Sequence, residues 1–279
     1  MSRNLLFETR MIAWFSCGAA SAAAAKIAVE EYSKQFHVEV CYCDMLADEH
    51  PDNERFLSQV EEWIGVPVKR LHHPKYNTIH EVFLGERFLI GPNGAPCTRI
   101  LKQEVRLLNS GPDDVHVLGF SADEAQRQTD FETRHRDMDC EGVLQLNGVD
   151  KAECMRLVQR AGIELPTMYK LGFSHNNCVG CIKGGMGHWN KVRRLFPERF
   201  DMMARTEREI GFARFRDKDG PVWLDELDPE RGRPDDEPPP CGFLCEMPRG
   251  EEFEQNCALL TGGPVNQRRT VNDEHGRRH

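Results

Sequence analysis

The chain contains no run of eighteen or so uncharged apolar residues, so it offers no candidate for a membrane-spanning helix. Residues Met1 to Arg10 lack the basic-then-apolar order of a secretory signal, and the expected location is the cytosol. Positive charge is also in short supply. The formal net charge of −9 argues against a protein that coats nucleic acid without specificity, because such affinity comes from many Lys and Arg neutralising phosphates. There is no internal repeat.

What is present suits a folded enzyme-sized protein. With 279 residues the chain can bury a full core without disulfides, and 39% hydrophobic with 29% charged residues is ordinary for a globular protein. Eleven cysteines is a high number, which in a reducing compartment points to metal ligation or thiol chemistry more than to crosslinks. A local basic stretch, Lys183, Lys191, Arg193, Arg194, Arg199 and Arg205, could meet a phosphate-rich partner. With Glu198, Glu207 and Glu209 interleaved, it reads equally as a solvated helix face.

The hydrophobic pattern alternates strand and helix. Strands are expected at Met11 to Phe15, Val38 to Met45, Val66 to Leu71 and Val115 to Phe120. Helices are expected at Ser21 to Phe36, Arg55 to Ile64, Thr98 to Leu108 and Asp150 to Ala161, the last with Asp150 as N-cap and Gly162 just past its end. This order implies an α/β fold, a Rossmann-like parallel sheet with helices on both faces. The core is expected to close near Leu171, giving a nucleotide-binding domain over 1–171. A helical, cysteine-bearing appendage over 172–228 follows, its helix from His188 to Ile210 interrupted near Pro197. The remainder, 229–279, reads as a proline-rich connector and a polar, frayed tail.

Two segments carry chemistry. Ser16-Cys17-Gly18-Ala19-Ala20-Ser21 lies between a buried strand and a helix, where small residues let backbone amides and hydroxyls approach an anion. By spacing alone it is equally a close-packing turn. Cys178-x-x-Cys181 sits in a glycine-rich loop that can bring two thiolates onto one metal, either a catalytic centre or a zinc knuckle that staples the loop. Cys41, Cys43, Cys140 and Cys154 fall at apolar positions where small buried thiols are common.

The first segment resembles the PP-loop of the N-type ATP pyrophosphatase and phosphoadenylylsulfate (PAPS) reductase superfamily, which reads Ser-Gly-Gly-x-Asp-Ser after the first strand; Ser16, Gly18 and Ser21 match. Further matches follow in order: Asp48 to Asn53 with Phe56, Pro96-Cys97-Thr98-Arg99 with Lys102, and Gly119-Phe120-Ser121-Ala122-Asp123-Glu124 with Arg127. The segment Leu165 to Cys181 resembles the reductase branch, and the likeness spans roughly residues 11 to 210. Two departures stand out: Cys17 occupies a family glycine position, and Ala20 a family aspartate position.

The resemblance implies a fold of the PP-loop (HUP) type that binds ATP or PAPS through Ser16 to Ser21, Gly119 and Phe120, with Arg99 and Lys102 as a cationic wall. Asp48, Asp123 or Glu124 would hold Mg²⁺ in place of the missing loop aspartate, and Arg127 would face a phosphate. It further implies that Cys97 joins Cys178 and Cys181 in binding a [4Fe–4S] cluster. Cys241 or Cys245 could supply a fourth thiolate, and His175 and His188 are weaker candidates. Iron and zinc accept the same thiolates.

The functional expectation is ATP-dependent adenylation with sulfur transfer to a nucleic acid, tRNA or DNA. The alternative is reduction of adenylylsulfate or PAPS, although the reductases' Glu-Cys-Gly-Leu-His signature is absent around Cys245 and Cys257. A non-catalytic nucleotide-binding protein with structural zinc is the third reading, motivated by Ala20. Homo-oligomerisation is left open.

Overall fold

The computed structural model describes residues 9–91, 94–136, 138–239 and 241. These lie within one compact unit. Five strands, β1 (Arg10–Phe15), β2 (His37–Cys43), β3 (Val68–Leu71), β4 (Val115–Val117) and β5 (Asp139–Glu141), form a parallel sheet in the order β3-β2-β1-β4-β5. In register, Ala13 of β1 lies beside Val40 of β2 on one side and Val117 of β4 on the other.

Side chains alternate across a strand, so β1 feeds two layers. Met11, Ala13 and Phe15 pack with α1 (Ala19–Tyr32), α2 (Asn53–Ile64), α7 (Val143–Leu146) and α8 (Lys151–Arg160). Ile12 and Trp14 enter the opposite layer with Val105, Phe120 and Phe131. That layer is covered by a helix that begins as α4 (Pro96–Thr98), widens into a π-helical turn over Arg99–Glu104 and ends as α5 (Val105–Asn109), and by α6 (Ala125–Arg134). The alanine-rich start of α1 lets that helix sit close to the sheet.

A third cluster lies beyond the sheet. It joins α3 (Ile79–Glu86), Met45, Ile100 and Leu101 to Cys178, Ile182 and the pair α10 (Met186–Leu195) and α11 (Pro197–Ile210). Residues 172–228 therefore share a core with residues 45–101. Short α9 (Thr167–Lys170) leads into this region, and a hairpin of β6 (Phe215–Asp217) and β7 (Gly220–Val222) follows it. Pro197 at the first position of α11 restarts the helix one residue after α10 ends.

The proline-rich stretch, read from sequence as an extended connector, is docked by polar contacts. The Gly185 amide donates to the Asp236 carbonyl at 2.9 Å, and the Asn190 side chain donates to the carbonyls of Asp228 and Arg231 at 2.8 and 2.6 Å. A Cβ on Gly187 would lie 1.9 Å from the Arg233 carbonyl oxygen, so this passage requires glycine. No helix among the described residues is long and apolar enough to cross a membrane.

Candidate functional site: two cavities with a common wall

In an open parallel sheet a ligand sits outside the carboxyl ends of the strands where the order reverses, here between β1 and β4. A cleft lies at that point, lined by Phe15, Ser16, Gly18 to Ser21 and Leu118 to Phe120. It encloses about 1080 Å³ counting its open mouth, enough for a nucleotide-sized ligand.

The loop after β1 is held by its own hydroxyls. The Ser21 Oγ accepts from the Ser16 amide at 3.0 Å, lies 3.1 Å from the Ser16 Oγ and donates to the Gly18 carbonyl at 3.0 Å. Cys17 adopts φ 54°, the left-handed conformation that glycine takes freely and other residues at a cost of roughly 1–2 kcal/mol. Its thiol is fully buried, does not line the cleft, and is pushed well up by burial and Glu49. The Cys17 side chain thus departs from the expected ligand contact. Gly119 lies against the start of α1, where a Cβ would come within 2.7 Å of the Ser21 nitrogen.

Glu124, Arg127 and Lys151 line the cleft opposite this loop. Arg127 donates to Glu124 at 2.6 Å and stacks over Phe120, while Glu124 also accepts from Ser121 in a capping box. His175 completes this side, and burial lowers its pKa to about 4, leaving a neutral imidazole at pH 7.

Three expected site residues lie elsewhere. Arg99 is half exposed and pairs with Glu86 and Glu104 at 2.8 and 2.5 Å, so it forms no wall with Lys102. Asp123 does not line the cleft; it accepts from the Lys151 amide at 3.1 Å, tying down the start of α8. Asp48 is buried away from the cleft, accepting from the Ile79 amide at 2.8 Å and, through its carbonyl, from Val179 at 2.8 Å. Burial raises its carboxyl to about 6 despite the Ile79 contact and Arg199. It braces α3 and the thiol-bearing loop.

Besides Glu124, the cleft is faced by the carboxylate of Asp48's neighbour, Glu49, which sequence reasoning missed. Glu49 accepts from the Tyr42 hydroxyl at 2.9 Å and Asn53 at 2.7 Å, and burial raises its pKa although Lys102 opposes the shift. Trp14, Tyr169, Asn176 and Asn177 were also not singled out as ligands and line the same cleft.

A second, smaller cavity is ringed by Cys97, Cys178, Cys181 and Cys241 together with Thr98, Lys102 and Lys183. Four thiols from three distant parts of the chain surround one space. Cys97 comes from α4, Cys178 and Cys181 from the glycine-rich loop, and Cys241 is brought in by Asn177, whose side chain accepts from the Cys241 amide at 2.9 Å and donates to Pro239 at 3.0 Å. Cys245 lies outside the described residues. His175 and His188 do not line this cavity. Among the described residues, no three His, Cys, Asp or Glu side chains converge closely enough to hold a single metal ion.

Lys102 and Cys241 line both cavities. The Lys102 Nζ lies 3.3 Å from the Cys241 Sγ. Burial disfavours the ammonium, but Cys241, Cys178 and Glu49 outweigh it, so Lys102 stays charged. Burial likewise pushes the Cys241 thiol up, and Lys102 and Lys183 reverse this, bringing it down to about 7. The π-helical turn carrying Lys102 is a local irregularity of the kind that often marks a functional site.

The basic stretch is mostly spent internally. Lys183 is buried, and Lys191 bonds the Gly172 carbonyl and Glu237. Arg193 bonds the carbonyls of Leu224 and Leu227, and Arg199 bonds that of Ala47. Arg194 and Arg205 remain exposed.

The sequence matches no protein-family model and no curated protein. Among solved structures the chain is similar to the U34-tRNA thiolase NcsA from Methanococcus maripaludis with its [4Fe-4S] cluster, at 12% identity and a TM-score of 0.39, over 78% of this chain and 77% of that one.

Proposed function

We propose that the chain is a PP-loop-type enzyme that uses ATP to adenylate an oxygen of its acceptor and replaces that oxygen with sulfur, the acceptor being a nucleic acid. The observation that carries this reading is the common wall: the cleft and the four-cysteine cavity share Lys102 and Cys241.

In the cleft, the Ser16 and Ser21 hydroxyls and the first amides of α1 grip phosphate. Arg127 and Lys151 would offset its charge, and Glu124, one of two carboxylates lining the cleft, would meet a bound Mg²⁺. The acceptor oxygen attacks the α-phosphorus and pyrophosphate leaves; sulfide then forms the carbon–sulfur bond as the carbon–oxygen bond breaks and AMP departs. Lys102 holds positive charge beside both events.

Cys97, Cys178, Cys181 and Cys241, which line the second cavity, would hold a [4Fe–4S] cluster. A space ringed by thiols suits four irons with one thiolate each, whereas zinc draws all four thiolates to about 2.3 Å from one point. Lys102 and Lys183 counter the negative charge of such a group. If Cys241 is the exchangeable ligand, an iron opened at its position would supply a thiophilic site for sulfide on the side facing the nucleotide.

A second reading, reduction of adenylylsulfate or PAPS, is favoured by the lowered pKa of Cys241 at the cleft, which makes it a candidate nucleophile toward a sulfonyl sulfur. Product analysis separates the two. Pyrophosphate and AMP formation from Mg·ATP, dependent on sulfide and RNA or DNA, supports the first; sulfite release from PAPS in the presence of a dithiol reductant, without pyrophosphate, would replace it with the second.

A further inference from the structure

A chain of buried hydrogen bonds runs from Glu49 to the glycine-rich loop, and its direction is fixed. The Tyr42 hydroxyl accepts from the Met45 amide at 3.1 Å and so donates to the Glu49 Oε2. That oxygen also receives the Asn53 Nδ2, which turns the Asn53 Oδ1 toward Asn176. The Asn176 Nδ2 must then donate, and it does so twice: to the Asn53 Oδ1 at 2.9 Å and to the Cys17 carbonyl at 2.6 Å. Nothing in this network can be reversed without opposing two acceptors.

The Asn176 Oδ1 is left over. It is buried with no hydrogen-bond partner, on a residue 7% exposed that lines the cleft. A buried carbonyl oxygen in this position is satisfied by a donor. Mg²⁺-bound phosphate oxygens act as acceptors at neutral pH, whereas a ribose hydroxyl or a base amino group donates. Asn176 also stands two residues before Cys178, and its neighbour Asn177 holds the backbone of Pro239 and Cys241.

We propose that Asn176 couples the two cavities: its Oδ1 accepts a hydrogen bond from a hydroxyl or amino group of the bound nucleotide, and the bond stiffens the loop carrying Cys178 and Cys181. The proposal rests on the reading of the cleft as a nucleotide site. The Asn176 amide is a positioning group that joins the loop after β1, the start of α2 and the thiol-bearing loop at one point.

Amide hydrogen exchange by mass spectrometry on the full-length protein as purified, with calorimetry of the same samples, tests it. Mg·ATP is expected to slow exchange at residues 16–22 and at 174–182, while the Mg²⁺ complex of inorganic triphosphate, which lacks the ribose hydroxyls and the base amino group, slows 16–22 alone. Asn176→Leu is expected to bind ATP roughly 3- to 10-fold more weakly and to lose protection at 174–182 only. ATP bound to the wild type without protection at 174–182, or equal protection there by triphosphate, would overturn the coupling whether or not the variant folds. Absence of any ATP binding would instead overturn the nucleotide reading, and the coupling with it.

Discussion

Gly119→Ala concentrates the account of the cleft in one methyl group. The added Cβ would sit 2.7 Å from the Ser21 nitrogen, 2.8 Å from its Cα and 3.0 Å from its Cβ, in the first turn of a helix packed against the sheet. These are mainly backbone atoms, which cannot swing aside, so β4 or α1 must shift. Overpacking of this kind costs about 1–3 kcal/mol, and a loss near 2 kcal/mol lowers the Tm of a domain this size by roughly 4–8 °C. The shift also moves the Ser21 hydroxyl and the amides beside it, so ATP affinity is expected to fall about 10-fold or more. Gly18→Ala is the control, because its Cβ meets nothing closer than 3.7 Å. Differential scanning calorimetry should find Gly18→Ala within about 2 °C of wild type. A Gly119→Ala protein with wild-type Tm and wild-type ATP affinity would refute the close approach of β4 to α1.

Other perturbations reach separate parts of the structure. Lys102→Met is expected to lower both bound iron and ATP affinity, whereas Arg99→Ala, lying off both cavities, changes neither; iron assay and calorimetry on the two variants check this. Asp52 receives Arg55 at 2.7 and 2.8 Å and both the amide and hydroxyl of Thr167 at 2.9 Å, so Asp52→Ala should cost about 1–3 kcal/mol in urea unfolding. Arg55 holds this carboxyl well below its usual range, so its contribution is present above about pH 4 and is lost as pH falls toward the depressed folded value. Glu207 behaves oppositely: burial raises it to about 7, so its contribution is complete below about pH 4.5 and declines as pH rises through 7. Glu207→Gln should flatten the Tm profile between pH 5 and 8, and an unchanged slope would remove Glu207 as its source.

Strands β1 to β4 were legible because each carries a short apolar run, buried throughout in β1 and over the second half of β2. Met11 to Phe15 is the clearest, and the alternation of Met11, Ala13 and Phe15 against Ile12 and Trp14 explains why helices cover both sides. Strand β5 and helix α6 were not legible: Asp139–Glu141 is three residues long, and α6 has a single fully buried residue, Phe131. α3 was missed as well, being a short helix started by the Thr78 cap and by a distant carboxylate, that of Asp48. In the site, Asp48 and Glu49 are adjacent in sequence, and only the tertiary fold sends one toward α3 and the other toward the cleft. The placement of Cys241 beside Lys102 depends on Asn177 and on a proline-rich segment docking through polar contacts, for which hydrophobic periodicity carries no signal. The positive φ at Cys17 explains why glycine suits that loop position, yet the residue gives no hint of it.

Four cysteines from three separate segments are proposed to enclose one cluster beside the nucleotide. Protein purified without oxygen should contain about four irons and matching acid-labile sulfide per chain, with a broad visible absorption lost in Cys97→Ala, Cys178→Ala and Cys181→Ala and weakened or lost in Cys241→Ala. Stoichiometric zinc, or iron unaffected by Cys97→Ala and Cys241→Ala, would contradict the account and make the cysteine cavity a structural feature.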